Sequence, residues 1–128
     1  MTTSSASPAA PMYRPRSTLR CSIVTSEGDN WFLPFARLLV ERLQPIADTS
    51  LVFSHCNVGA SDIVFYLSYY SIVPEDALAL SDNNVVAHAS DLPSGRGCAP
   101  MTWQVLEGRD QLTLTLFEAT REVDAGPI

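Results

Sequence analysis

No lysine occurs in the 128 residues, and eight arginines face fourteen carboxylates, for a formal net charge of −6. Nucleic-acid binding depends on a basic surface that displaces counterions from phosphates. The composition therefore argues against a tRNA or DNA partner. Without lysine there is also no phosphate-cradling Gly-x-x-x-x-Gly-Lys loop. Only Gly28 stands in the loop after the first apolar run, so the dinucleotide fingerprint Gly-x-Gly-x-x-Gly is missing too. Cysteine is scarce. Cys21, Cys56 and Cys98 are odd in number, scattered and without paired metal-ligand spacing, which argues for a reducing compartment and against a disulfide framework. The neighbours His55 and Cys56 would point to opposite faces of a strand, so no shared metal is expected. Long hydrophobic runs are absent as well. The run 63–67 falls far short of the roughly 20 residues that span a bilayer, and no basic region followed by an apolar one opens the chain. No membrane association is expected, and a cytoplasmic setting is.

What is present is a soluble, globular composition with 46% hydrophobic residues, enough for one domain with a real core. Residues 1–18 are rich in Ser, Thr, Ala and Pro and lack an apolar period. They read as a disordered leader or as sequence upstream of a start at Met12, ahead of a domain over 19–128. Acidic residues are absent before Glu27 while Arg14, Arg16 and Arg20 are present, a faint likeness to a transit peptide that so many prolines oppose.

Strand signals at 21–26, 51–54, 62–67, 84–87 and 111–118 alternate with helical periodicity after Asn30, at 74–80 and at 100–107. Asn30 is the expected N-cap of the first helix, with Pro34 in its first turn and Pro45 ending it. Gly108 is the expected cap of the last helix. Over 111–118, Leu112, Leu114 and Leu116 alternate with Thr113, Thr115 and Phe117, the period of a strand. This alternation predicts an α/β fold, a Rossmann-like three-layer sandwich with a mostly parallel sheet. Ligands of such sheets bind beyond the carboxyl ends of the strands, where the fourth strand delivers His88.

The run His88-Ala-Ser-Asp-Leu-Pro-Ser-Gly-Arg-Gly-Cys-Ala-Pro100 is followed by Trp103-Gln-Val-Leu-Glu-Gly108 and by Val123-Asp-Ala-Gly-Pro-Ile128. This linked set resembles the active-site segment of folate-dependent formyltransferases, and the resemblance covers about residues 20–128. Members carry a histidine, a serine two residues later, Leu-Pro, an Arg-Gly turn, Ala/Ser-Pro, a helix ending in Gly, a strand and Asp-x-Gly-x-Ile. The resemblance implies transfer of a formyl group from 10-formyltetrahydrofolate to the amine of a small substrate, an amino sugar nucleotide being the leading candidate. His88 and Asp124 would be catalytic. Tyr69, Tyr70, Ile72, Val73 and Pro74 would wrap the pterin, with Ser90 near the donor and the loop 118–123 as the second wall. Family members continue beyond the equivalent of Ile128, so a C-terminally truncated domain is expected, with a C-terminal partner domain or subunit.

Formyl transfer needs no nucleophilic side chain, because the amine attacks. The protein must stabilise an oxyanion and move protons. His88 suits the first task when protonated, and Asp124 would orient it and assist removal of the amine proton. Ser90 is not in a Gly-x-Ser-x-Gly elbow, which disfavours a serine hydrolase. Two departures stand out. The family's asparagine, two residues before the histidine, is here Val86. Asn84 is the nearest substitute, on the same strand face but about 13 Å away at ~3.3 Å per residue. Asp91 replaces a common leucine and reads as a turn residue, and Arg96 reads as shaping the loop. Competing expectations are a formyltetrahydrofolate hydrolase and a non-catalytic homologue retaining a folate-like pocket.

Overall fold

The structure, a computed structural model, describes residues 18–128. The expected leader lies, but for Thr18, outside the described residues. Five strands form one sheet in the order β2-β1-β3-β4-β5. They are β1 (Leu19–Val24), β2 (Ala47–Val52), β3 (Ser61–Tyr66), β4 (Ser81–His88) and β5 (Thr115–Glu118). The first four are parallel and β5 runs antiparallel to β4. Three helices connect them: α1 (Leu33–Leu43), α2 (Glu75–Leu78) and α3 (Pro100–Leu106).

Both faces of the sheet are covered, which is why its central strands are apolar at consecutive positions. Cys21 and Ile23 point to one side, where Phe32, Leu39, Val40 and Leu43 of the α1 region pack on them together with Ile63 and Phe65. Val24, Val64 and Tyr66 point to the other, under Leu78 of α2 and Val58, Tyr69 and Val73. The architecture is the three-layer, mostly parallel α/β sandwich read from the sequence.

Several boundaries differ for local reasons. Pro45 does end the first helix, but a turn closed by Ile46 N–H to Leu43 O lets β2 start at Ala47, four residues early. His55 and Cys56 sit on a 3₁₀ turn (His55–Asn57), not a strand. Strand β4 begins at Ser81 because polar Asn83 and Asn84 find local partners in Asp62 O and Leu78 O. Over 111–118 only the last four residues are strand, and Thr115 and Phe117 are the buried ones while Leu112, Leu114 and Leu116 face outward. Gly108, at φ 74°, ends α3 as expected.

Asn30 does not cap α1 in the expected way, since the helix starts after Phe32. It is instead the hub of the β1 and β3 carboxyl ends. Its Nδ2 donates to Thr25 Oγ1 (2.7 Å) and Ser26 O (2.8 Å), and its Oδ1 accepts from Phe32 N–H and Ser68 Oγ (3.1 Å each). The β1/β3 boundary is where a sheet of this order changes direction and commonly opens a ligand crevice. Here it is filled by hydrogen bonds, and the open ground moves to the ends of β3, β4 and β5. Among the described residues no helix is long and apolar enough to cross a membrane.

Candidate active site

His88 is the last residue of β4, with Thr115 of β5 beside it in register. The chain then turns through a loop pinned from below. Thr115 Oγ1 donates to Ser90 O (2.6 Å) and accepts from Leu92 N–H (3.4 Å), and Gln104 of α3 donates to Ala89 O. The Leu92–Pro93 peptide is cis. Gly95, at φ 74°, passes so near Ser90 that a Cβ would lie 2.8 Å from the Ser90 Cβ. That approach carries its carbonyl back to His88, whose Nε2 donates to it at 2.9 Å. A carbonyl oxygen only accepts, so Nε2 carries a hydrogen and in the neutral ring Nδ1 is the basic nitrogen.

Nδ1 faces Asp124, its Oδ1 3.7 Å away, and the two side chains are only 11% and 12% exposed. The other carboxylate oxygen accepts from Gly97 N–H at 2.9 Å. Thus the Arg-Gly turn shapes the site through its flanking glycines: Gly95 fixes the ring and Gly97 the carboxylate. Asp124 itself sits at φ 53°, a left-handed conformation that aspartate tolerates better than most residues. Its loop is closed at the base, where Glu118 N–H donates to Pro127 O (2.9 Å) and Gly126 lies against the Glu118 carbonyl.

Beside this pair opens a cleft of about 170 Å³. Its floor is Tyr66, Val86 and Phe117, one residue from each of three neighbouring strands. One wall is 69–73 and the other 119–124. Tyr69 is held by its hydroxyl, which accepts from His55 N–H (3.1 Å) and bonds His55 Nδ1 (2.7 Å). Tyr70 N–H donates to Ser26 Oγ (2.9 Å), tying the wall to the Asn30 hub. Burial, with the phenol of Tyr69 adding to it, pushes the Tyr66 ionisation up to about 12. Burial likewise raises that of the Cys21 thiol.

Tyr69, Tyr70, Ile72, Val73 and Asp124 therefore line one cleft, which His88 adjoins through Asp124 without lining it. Pro74 does not line it and instead precedes the first residue of α2. Ser90 is buried beneath Gly95, with no partner for its hydroxyl among the described residues. Asn84 is also away from His88: its Nδ2 donates to Leu78 O at 2.9 Å and its Oδ1 is buried without a partner among the described residues. Its backbone is anchored as well, by Glu118 Oε1 and Ala119 N–H. A regular strand leaves no bulge to bring that amide to the histidine. Sequence reasoning missed Tyr66, Thr115 and Gln104. Only Tyr66 carried a signal, as a polar tip following the apolar run Ile63-Val64-Phe65.

No family model matches the chain. A bifunctional polymyxin resistance protein ArnA of Wigglesworthia glossinidia brevipalpis is 35% identical over 68 residues, which are 52% of this chain and 10% of that protein. A methionyl-tRNA formyltransferase of Sorangium cellulosum is 31% identical over 88 residues, 67% of this chain and 28% of that protein. The chain thus spans well under two thirds of these relatives. The solved methionyl-tRNA formyltransferase from Clostridium thermocellum superposes with a TM-score of 0.66 at 17% identity, over 84% of this chain and 50% of that one. At such identity the superposition speaks for the fold alone. In sequence, the chain is similar to formyltransferases.

Proposed function

We propose that this site transfers a formyl group from 10-formyltetrahydrofolate to the amine of a small acceptor, an amino sugar nucleotide first among candidates. The observation that carries the reading is the His88–Asp124 pair, 3.7 Å apart at the carboxyl end of β4 and at the rim of a cleft walled by tyrosines and aliphatic side chains. The cleft is smaller than the ~300–1,000 Å³ of pockets that engulf a ligand. The pterin head would enter between 69–73 and 119–124, and the rest of the donor would lie outside.

The amine nitrogen attacks the formyl carbon and the carbonyl electron pair moves onto oxygen. Nδ1 of His88, the nitrogen left without a hydrogen in the neutral ring when Nε2–H bonds Gly95 O, takes the proton shed by the amine. The imidazolium then faces the Asp124 carboxylate. Return of the oxygen electron pair breaks the bond to N10, and the proton passes to N10 of the departing tetrahydrofolate.

The acidic composition supports a small acceptor over a nucleic acid. Three free cysteines suit a reducing, cytoplasmic setting. Binding without turnover is the competing reading, favoured by Val86 in place of an amide. Incubation with 10-formyltetrahydrofolate and a panel of amino sugar nucleotides decides between them. Release of tetrahydrofolate with matching formylated product is expected; release without product would indicate hydrolysis, and neither would leave binding alone. A reduced folate at 100 times its dissociation constant should stabilise the fold by about 2.7 kcal/mol, and no thermal shift at millimolar folate would overturn the donor assignment.

A further inference from the structure

The reaction above requires a hydrogen-bond donor aimed at the oxygen on which charge develops, and the His88–Asp124 pair does not provide one. Nε2–H of His88 is spent on Gly95 O, and Nδ1 is directed at Asp124. Val86, on the same face of β4 two residues earlier, has no polar atom. The position directly across from Val86 does. Tyr66 is its register partner on β3, and Phe117 is its partner on β5, so the three form one row on the cleft floor.

Tyr66 is 4% exposed, lines the cleft, and its hydroxyl has no hydrogen-bond partner among the described residues. A buried phenol normally finds a partner. One left open toward a cleft is available to a ligand atom. The ring is held in place from behind: Tyr69 packs on it at 5.9 Å, and Tyr69 is itself fixed by His55. This is the preorganisation that an oxyanion donor needs, since nothing has to reorient as charge appears. With its ionisation held at about 12, the hydroxyl keeps its proton at any neutral pH.

We propose that the Tyr66 hydroxyl donates the hydrogen bond to the formyl oxygen, making Tyr66 a catalytic residue that reaches the reacting carbonyl from β3 instead of β4. The inference rests on the formyl-transfer reading. It adds no proton transfer to it: the O–H bond stays intact and only its hydrogen bond strengthens as the oxyanion forms.

Tyr66→Phe tests this, because it keeps the ring and its contact with Tyr69 while deleting the donor; its unfolding midpoint at neutral pH verifies the fold. Each protein binds 10-formyltetrahydrofolate carrying ¹³C in the formyl group, without an acceptor, and the carbonyl stretch is read by infrared difference spectroscopy. The frequency should be lower in the wild type than in Tyr66→Phe. With an acceptor present, kcat should fall by about 10²–10³-fold while KM for the folate stays within about threefold. Adding Val86→Asn to Tyr66→Phe should restore at least tenfold, by supplying a donor from the neighbouring strand. An identical carbonyl frequency in the two proteins, or turnover of Tyr66→Phe at the wild-type rate, overturns the Tyr66 assignment and leaves the donor assignment standing. Failure of the wild type to bind the folate by calorimetry overturns the formyl-transfer reading and this inference with it.

Discussion

Gly126 lies so close to the carbonyl oxygen of Glu118 that a Cβ at residue 126 would overlap it. The glycine of Asp-Ala-Gly is therefore set by packing, two residues from the carboxylate that faces His88. Gly126→Ala should destabilise the protein by about 1–3 kcal/mol, the cost of forcing atoms into a filled site. Urea unfolding measures this. Turnover should fall too, because relief of the clash moves Asp124.

His88→Ala and Asp124→Asn should each lower kcat by about 10²–10⁴-fold, the usual contribution of a positioned proton-transfer group. Asp124→Asn keeps an oxygen for the Gly97 N–H bond, so its unfolding midpoint should stay near wild type. Folate affinity, measured by calorimetry, should change little in either variant. A loss of binding equal to the loss of rate would show that the pair holds the ligand and does not act on the transition state.

The raised ionisation of Tyr66 has a thermodynamic signature. An unfolded tyrosine releases its proton near pH ~10, whereas in the fold Tyr66 keeps it until about 12. Between these values the native state binds more protons than the unfolded one, so stability falls as pH rises. Below pH ~10 the contribution is fully present. Urea midpoints from pH 9 to 12 should fall less steeply in Tyr66→Phe than in the wild type.

Asn30→Leu should cost at least ~2 kcal/mol, since it strips partners from Thr25 Oγ1, Phe32 N–H and Ser68 Oγ and leaves buried polar groups unpaired. Because Ser68 and Tyr70 belong to the same hydrogen-bonded cluster, folate binding should weaken with it. Thermal melts with and without folate report both effects.

The layered α/β fold was legible because burial on both sheet faces leaves consecutive apolar residues such as Ile23-Val24 and Ile63-Val64-Phe65. His88 and Asp124 were legible from the order of motif residues around them. Less could be read where backbone atoms do the work. The Gly95 carbonyl and Gly97 N–H leave no trace in side-chain chemistry, and the outward turn of Leu112, Leu114 and Leu116 reverses what hydrophobic alternation alone implies. Asn84 illustrates a different limit: period 2 fixed its face, but its distance from His88 and its bond to Leu78 O set its role. Tyr66 lay outside any motif because its relation to Val86 exists only across strands.

The segment between Glu118 and Pro127 leaves the sheet and returns to it at nearly the same point, closed by the Glu118–Pro127 bond. A loop whose ends are tied together is mechanically insulated from the strands that carry it. Residues 120–123 form most of one wall of the cleft, while Ala119 before them packs against Val24, Val64 and Tyr66 and bonds Asn84 O of β4. The stretch 120–123 is thus an interchangeable cassette. Exchanging 120–123 for another sequence of equal length would reshape what the cleft accepts while His88, the sheet and the stitched base stay where they are, which makes this segment the natural place to redirect the site toward a different ligand.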